Sequence, residues 1–141
     1  YEVNPACLEL EITESLLMHD IDLAIETLKE LQSIGMTIAI DDFGIGYSSF
    51  SYLKTLPINV LKVDREFIKD IPDHLDDMEI TAAIISMAHR LGMTVVAEGI
   101  ETEVQRAFLE EHHCDVGQGY LFSRPIELPK LMELLSKQKA E

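Results

Sequence analysis

Basic residues are scarce in this sequence: 11 Lys and Arg stand against 26 Asp and Glu, leaving a formal charge of −15 over 141 residues. Proteins that grip a long nucleic acid draw affinity from cationic side chains that release counterions from phosphates, and so acidic a chain is excluded from that class. A small phosphate-bearing ligand remains compatible with the charge if bound divalent cations reverse the local sign. Cysteine is equally rare. Cys7 and Cys114 form no C-x-x-C pair, which argues against a disulfide scaffold and suits two packing residues in a reducing, cytoplasmic setting. No apolar run approaches the roughly 20 residues that span a bilayer, and the opening YEVNPACLEL has neither the basic end nor the apolar stretch of a signal peptide. We therefore expect a soluble segment without membrane contact of its own, whether or not its parent protein is tethered. Low-complexity linkers are also missing, so the chain reads as one domain, and its abrupt, strand-like start implies a preceding segment.

What is present alternates. LELEIT at 8–13 switches between apolar and polar residues as a strand does. A helix follows, with Ile21, Ala24, Ile25, Leu28 and Leu31 at helical spacing, Asp20 or Asp22 as N-cap and Gly35 as terminator. MTIAID gives the next strand; a short helix near 48–55 ends before Pro57, and NVLKVD at 59–64 is again a strand. A charged surface loop, DIPDHLDD, leads to a helix over about 79–91 with the stripe Ile80, Ile84, Met87 and Leu91, closed by Gly92. After the strand MTVVAE, Thr102 and Gln105 form a capping box for a helix near 103–112. A weak strand, CDVGQGY, precedes a final helix with Pro129 in its first turn and Leu131, Leu134 and Leu135 on its apolar face. Strands alternating with helices predict an α/β fold with a parallel sheet, open or closed into a barrel. A closed (β/α)8 barrel takes about 250 residues, so this chain is either an open sheet or a barrel lacking its first strands.

Each apolar strand finishes in charge: Glu11, the pair Asp41 and Asp42, Lys62 and Asp64, and Glu98. Counting by twos puts Glu9 with Glu11, Ala39 with Asp41, Val60 with Lys62 and Asp64, and Val96 with Glu98, each on one strand face. Parallel strands end on the same side, so these groups converge at the C-terminal rim, where α/β folds keep their sites. Gathered carboxylates need compensating cations, and an all-oxygen donor set selects hard ions such as Mg²⁺ or Mn²⁺. A single acid after a strand is ordinary loop solvation; four strands repeating it, one with a doubled aspartate, are not. His19, His74, His89, His112 and His113 show no chelating spacing on a helix and read as surface or core-edge residues.

Two rival motifs fail on context. DDFG lacks the glycine-rich loop, the strand lysine and the H-R-D loop that a kinase needs upstream. GIGYSS at 44–49, with Asp64 some twenty residues on, approximates a dinucleotide-binding turn, but Ser49 takes the third glycine's place and two aspartates before the loop repel a pyrophosphate.

Taken together, LEITES, IAIDDFGIGYSSFSYLKTLPINVLKVDREFI, VVAEGIET and GQGYLFSRP resemble the EAL-domain family of cyclic-di-GMP phosphodiesterases over nearly the whole chain. The resemblance implies a modified (β/α)8 barrel that hydrolyses one phosphodiester bond of cyclic di-GMP to linear pGpG with two Mg²⁺ or Mn²⁺ ions. It further implies that Asp41 bridges both ions, that Asp42 and Glu98 bind one of them, and that Glu11 holds the other. Lys62 matches the lysine beside the attacking water, Asp64 the residue that orients it, Gln118 a glutamine bonded to water in the site. Glu101 matches a glutamate that steadies the loop after DDFG, although a solvated helix start explains that residue nearly as well. The glycine-hinged loop containing Gly44 and Gly46 corresponds to a region that couples the site to a dimer contact, which implies a homodimer through it.

The family's name-giving E-A-L glutamate and the asparagine ligand of the following strand have no counterpart here; Asn4 precedes the first strand and is misplaced for that role. Residues 1–141 thus resemble the C-terminal portion of the domain, an incomplete barrel expected to have little hydrolytic activity alone. The alternative function is a degenerate domain that senses the nucleotide or binds a protein partner.

Overall fold

Strands rich in Ile, Val and Ala, buried on both faces, are what a parallel sheet requires when helices cover it. The computed structural model, which describes residues 3–17, 20–44 and 53–138, has five strands: β1 (Glu9–Thr13), β2 (Thr37–Phe43), β3 (Val60–Val63), β4 (Thr94–Ala97) and β5 (Val116–Gly117). In the middle, β2 and β3 meet this requirement, whereas β1 and β5 at the margins are largely exposed. They pair in parallel in the order β1-β2-β3-β4-β5. Sequential order builds a barrel wall; a doubly wound dinucleotide fold would reverse direction at a switch point. Among the described residues the wall stops short of closure, as expected for an incomplete α/β barrel.

Among the described residues five α-helices accompany the sheet: α1 (Glu14–Leu17), α2 (Ile21–Ser33), α3 (Leu75–Arg90), α4 (Glu103–Glu111) and α5 (Leu128–Gln138). Asp20 caps α2 by accepting from the Leu23 amide, and Gly35 and Gly92 follow α2 and α3 with positive φ. The core lies between sheet and helices and includes the fully buried Ile38, Ile40, Leu61, Val63, Ile68, Ile85 and Val95. Burying each such side chain contributes about 1.5–3 kcal/mol before the entropy cost of ordering it.

Several local expectations need correction. Helix α3 begins at Leu75, inside the stretch read as a loop, because Asp76 and Asp77 in its first turn suit the positive end of the helix dipole. Its buried face is Thr81, Ile84, Ile85 and Ala88, whereas Ile80 and Leu91 are exposed. Cys7 is exposed rather than packed, while Cys114 is half-buried against the core. Leu131, Leu134 and Leu135 on α5 remain exposed. Gly46, His19 and all but the end of the helix predicted at 48–55 lie outside the described residues, as does most of the loop assigned to a dimer contact.

Candidate active site

The sheet's register places the charged residues. Glu11 pairs with Ala39 and Thr13 with Asp41, so Glu11 and Asp41 share a face. Between β2 and β3 the register slips: Ile40 pairs with Leu61 and Phe43 with Val63, leaving Asp41 and Asp42 together opposite the single residue Lys62. This extra residue is a β-bulge, a device that re-aims side chains beside functional sites. Asp42 absorbs the irregularity with a φ of 55°, and its amide donates to the Asp41 carboxylate at 3.0 Å. Lys62 pairs with Val96, which puts Glu98, two residues on, over the same face.

Lys62 is 5 % exposed in the middle of a strand whose four residues are all buried. Its ammonium lies 2.7 Å from Glu11, 2.7 Å from Glu98 and 3.6 Å from Asp41. An ammonium in such a place is costly unless paired. Burial pulls the Lys62 pKa down, but the hydrogen bonds to Glu11 and Glu98 and the charges of Glu98 and Asp41 outweigh it and hold the group above the ordinary lysine value. Lys62 therefore keeps its proton at neutral pH.

Three carboxylates around one ammonium leave an excess of two negative charges, in a donor set made entirely of oxygen. The group already collects one cation, and hard divalent ions are the species such donors accept. The residues thus fit a hard divalent ion. A second group of possible ligands, Asp70, His74 and Asp77, has one ligand atom from each residue within 4.8 Å of the others, ahead of and within the first turn of α3. His74 is exposed there, as its surface reading anticipated.

The other predicted residues lie around the cluster rather than in it. Asp64 turns its carboxylate to the Glu66 amide at 2.7 Å, capping the 3-10 turn Arg65–Phe67, and is not among the ammonium's partners. Glu98, Glu101 and Gln118 line one cavity of about 260 Å³ together with Arg65, Gly99, Gly119 and Tyr120. Arg65 pairs with Glu101 at 2.8 Å, and its stem lies over Gly99, where a Cβ would collide with it. Gln118 is held by its backbone: its amide donates to the Ala97 carbonyl and its carbonyl accepts from the Ile100 amide. Gly119 presses so close to the Ile100 backbone that any Cβ would overlap it. The loop Glu101 was assigned to steady lies mostly outside the described residues.

Arg65 and Tyr120 were missed as lining residues. Both stand in the quoted motifs, directly after a strand-end acid or a glycine, and a search for acids alone passes over them. Tyr120 also carries the Arg124 guanidinium 4.5 Å above its ring.

The EAL domain family model matches residues 1–125, and the chain belongs to this family. It is 57% identical over 131 residues to the cyclic di-GMP phosphodiesterase NbdA of Pseudomonas aeruginosa, covering 92% of this chain and 17% of NbdA. The solved cyclic-di-GMP complex of the MucR phosphodiesterase, also of P. aeruginosa, superposes with a TM-score of 0.87 at 44% identity over 92% of this chain and 52% of that one. A manganese and cyclic-di-GMP complex of Klebsiella pneumoniae BlrP1 gives a TM-score of 0.81 at 38% identity, covering 87% and 31%. The chain thus spans less than a fifth of NbdA and about half of the MucR structure.

Proposed function

We propose that residues 1–141 are the C-terminal portion of an EAL phosphodiesterase domain that hydrolyses cyclic di-GMP to linear pGpG in the cytoplasm. The observation that carries this reading is the convergence of Glu11, Asp41 and Glu98 on the buried Lys62 ammonium. Family membership and the cyclic-di-GMP phosphodiesterase NbdA support it.

Glu11, Asp41, Asp42 and Glu98 would hold two Mg²⁺ or Mn²⁺ ions. When bound, such ions supply the positive charge that lowers the pKa of water and neutralises a phosphodiester. The bulge places Asp41 and Asp42 together opposite Lys62, so both carboxylates would be available to hold such ions. Lys62 holds its proton and acts as a fixed cation with N–H donors aimed into the site, not as a base. Gln118 offers an amide at the rim for water or substrate, and Arg65, braced by Glu101, sets the outer wall of the cavity beside Glu98. Asp64 acts through the turn it caps, fixing where β3 ends. With β1 and β5 each unpaired on their outer side among the described residues, these residues alone should turn over little substrate.

A turnover assay on the intact protein tests this. With Mn²⁺ it should release linear pGpG, and Glu98→Gln should abolish release. Tight nucleotide binding without turnover in the unaltered protein would instead support the sensing role.

A further inference from the structure

Outside the carboxylate cluster, four hydrogen bonds meet on one buried side chain. Gln105, in the first turn of α4, is 3 % exposed. Its carbonyl oxygen accepts from the amides of Glu101 at 2.8 Å and Thr102 at 3.0 Å. Its amino group donates to the carbonyls of Ile68 at 3.1 Å and Lys69 at 3.3 Å. A side-chain amide has two acceptor sites and two N–H donors, and here all are used.

The capping box explains only half of this. Reaching back to the N-cap amide needs an acceptor, and glutamate at that position serves as well, with the helix dipole in its favour. The donor half has a different effect. It ties the loop that follows β4, carrying Glu98 and Glu101, to the turn that follows β3, carrying Arg65. At the surface the Arg65–Glu101 pair joins the same two segments.

Glu98 stands one residue past the end of β4, its amide donating to the Val63 carbonyl at 3.0 Å. The direction of its side chain toward Lys62 therefore depends on how the following loop is seated.

We propose that Gln105 is a positioning residue: its amino group clamps the loop 98–102 against the turn 65–69 and so sets the Glu98 carboxylate against Lys62. The inference rests on reading Glu98 as a ligand for a divalent ion. Partners of ligands typically change metal affinity or activity by about 10–100-fold when removed.

Two variants of the intact protein separate positioning from helix stability. Gln105→Glu keeps the acceptor half and removes the donors, whereas Thr102→Ala removes the hydroxyl that accepts from the Gln105 amide and leaves the bridge in place. Calorimetric titration with Mn²⁺ and steady-state turnover are measured on both, well below their unfolding midpoints. Gln105→Glu should weaken Mn²⁺ binding and lower kcat at least tenfold with little change in KM, while Thr102→Ala stays within twofold of the unaltered protein. Equal losses in both variants, or none in Gln105→Glu, would overturn the inference. If the unaltered protein binds Mn²⁺ but does not hydrolyse the nucleotide, the enzymatic reading fails while the titration still decides the role of Gln105; if it binds no Mn²⁺, both fail.

Discussion

The Lys62 ammonium and the Glu98 carboxylate meet at 2.7 Å across the ends of two parallel strands that are hydrogen-bonded neighbours. The lysine is almost wholly buried and the glutamate mostly so, and Glu11 and Asp41 complete the cage around the same nitrogen. The cage works as an electrostatic keystone: one fixed cation holds three acids in place for further cations.

Removing the cation should therefore cost stability. Lys62→Met leaves three acids facing one another, and losing one partner of a buried ion pair typically costs about 3–5 kcal/mol. Because Glu11 is half exposed, the lower end of that range is expected for the metal-free protein at neutral pH. Denaturant titration of the intact variant in EDTA and then in excess Mn²⁺ checks this. Mn²⁺ should recover part of the loss, and equal stability of variant and unaltered protein in EDTA would contradict the account.

Asp115 gives a prediction in pH. Burial acts to raise its pKa, but the Val95 amide and His89, each 2.8 Å away, outweigh burial and hold it below the ordinary value of about 3.9. A carboxylate with a depressed folded-state pKa adds stability above its unfolded pKa and loses it as pH falls through the folded one. Asp115→Ala should thus cost about 1 kcal/mol at pH 7, a modest figure because the side chain is partly solvated. The difference between the two proteins should shrink steadily below pH 4. A difference unchanged down to pH 2 would rule out the charged contacts as its source.

Gly119 lies against backbone rather than against a side chain that could swing aside. In Gly119→Ala the new methyl group would force the loop after β5 away from Ile100, breaking the bonds by which the Ile100 amide reaches Gln118 and the Ile100 carbonyl accepts from Leu121. Overpacking of this kind costs about 1–3 kcal/mol. Turnover should fall with it, since Gln118 moves. An alanine variant with unaltered stability and rate would show that the contact is not needed.

Much of this was legible in the sequence. Strand periodicity placed Glu11, Asp41, Lys62 and Glu98 on one face, because side chains alternate strictly along a strand and parallel register keeps neighbours aligned. Thr102 and Gln105 announced the start of α4 through a local pattern, and the capping box is present. What was hidden depended on contacts across the fold. The bulge that leaves Asp41 and Asp42 opposite the single residue Lys62 is a property of strand pairing, invisible in either strand alone. The family resemblance implies that Asp64 orients Lys62, whereas the turn that follows β3 offers its carboxylate a donor in the Glu66 amide. The donor half of Gln105 reaches 36 and 37 residues back along the chain, which no local pattern reveals. The buried face of α3 was misjudged because Ile80 fits the helical period as well as Thr81 does; only the turn packed beneath it, where the Phe67 carbonyl accepts from the Thr81 hydroxyl, decides between them.

The most direct measurement of the central claim is anomalous diffraction from crystals of the intact protein grown with Mn²⁺. Two peaks should lie within coordination distance of carboxylate oxygens of Glu11, Asp41, Asp42 and Glu98. A map without manganese at these residues, with Glu11 and Glu98 still paired only to Lys62, would contradict it.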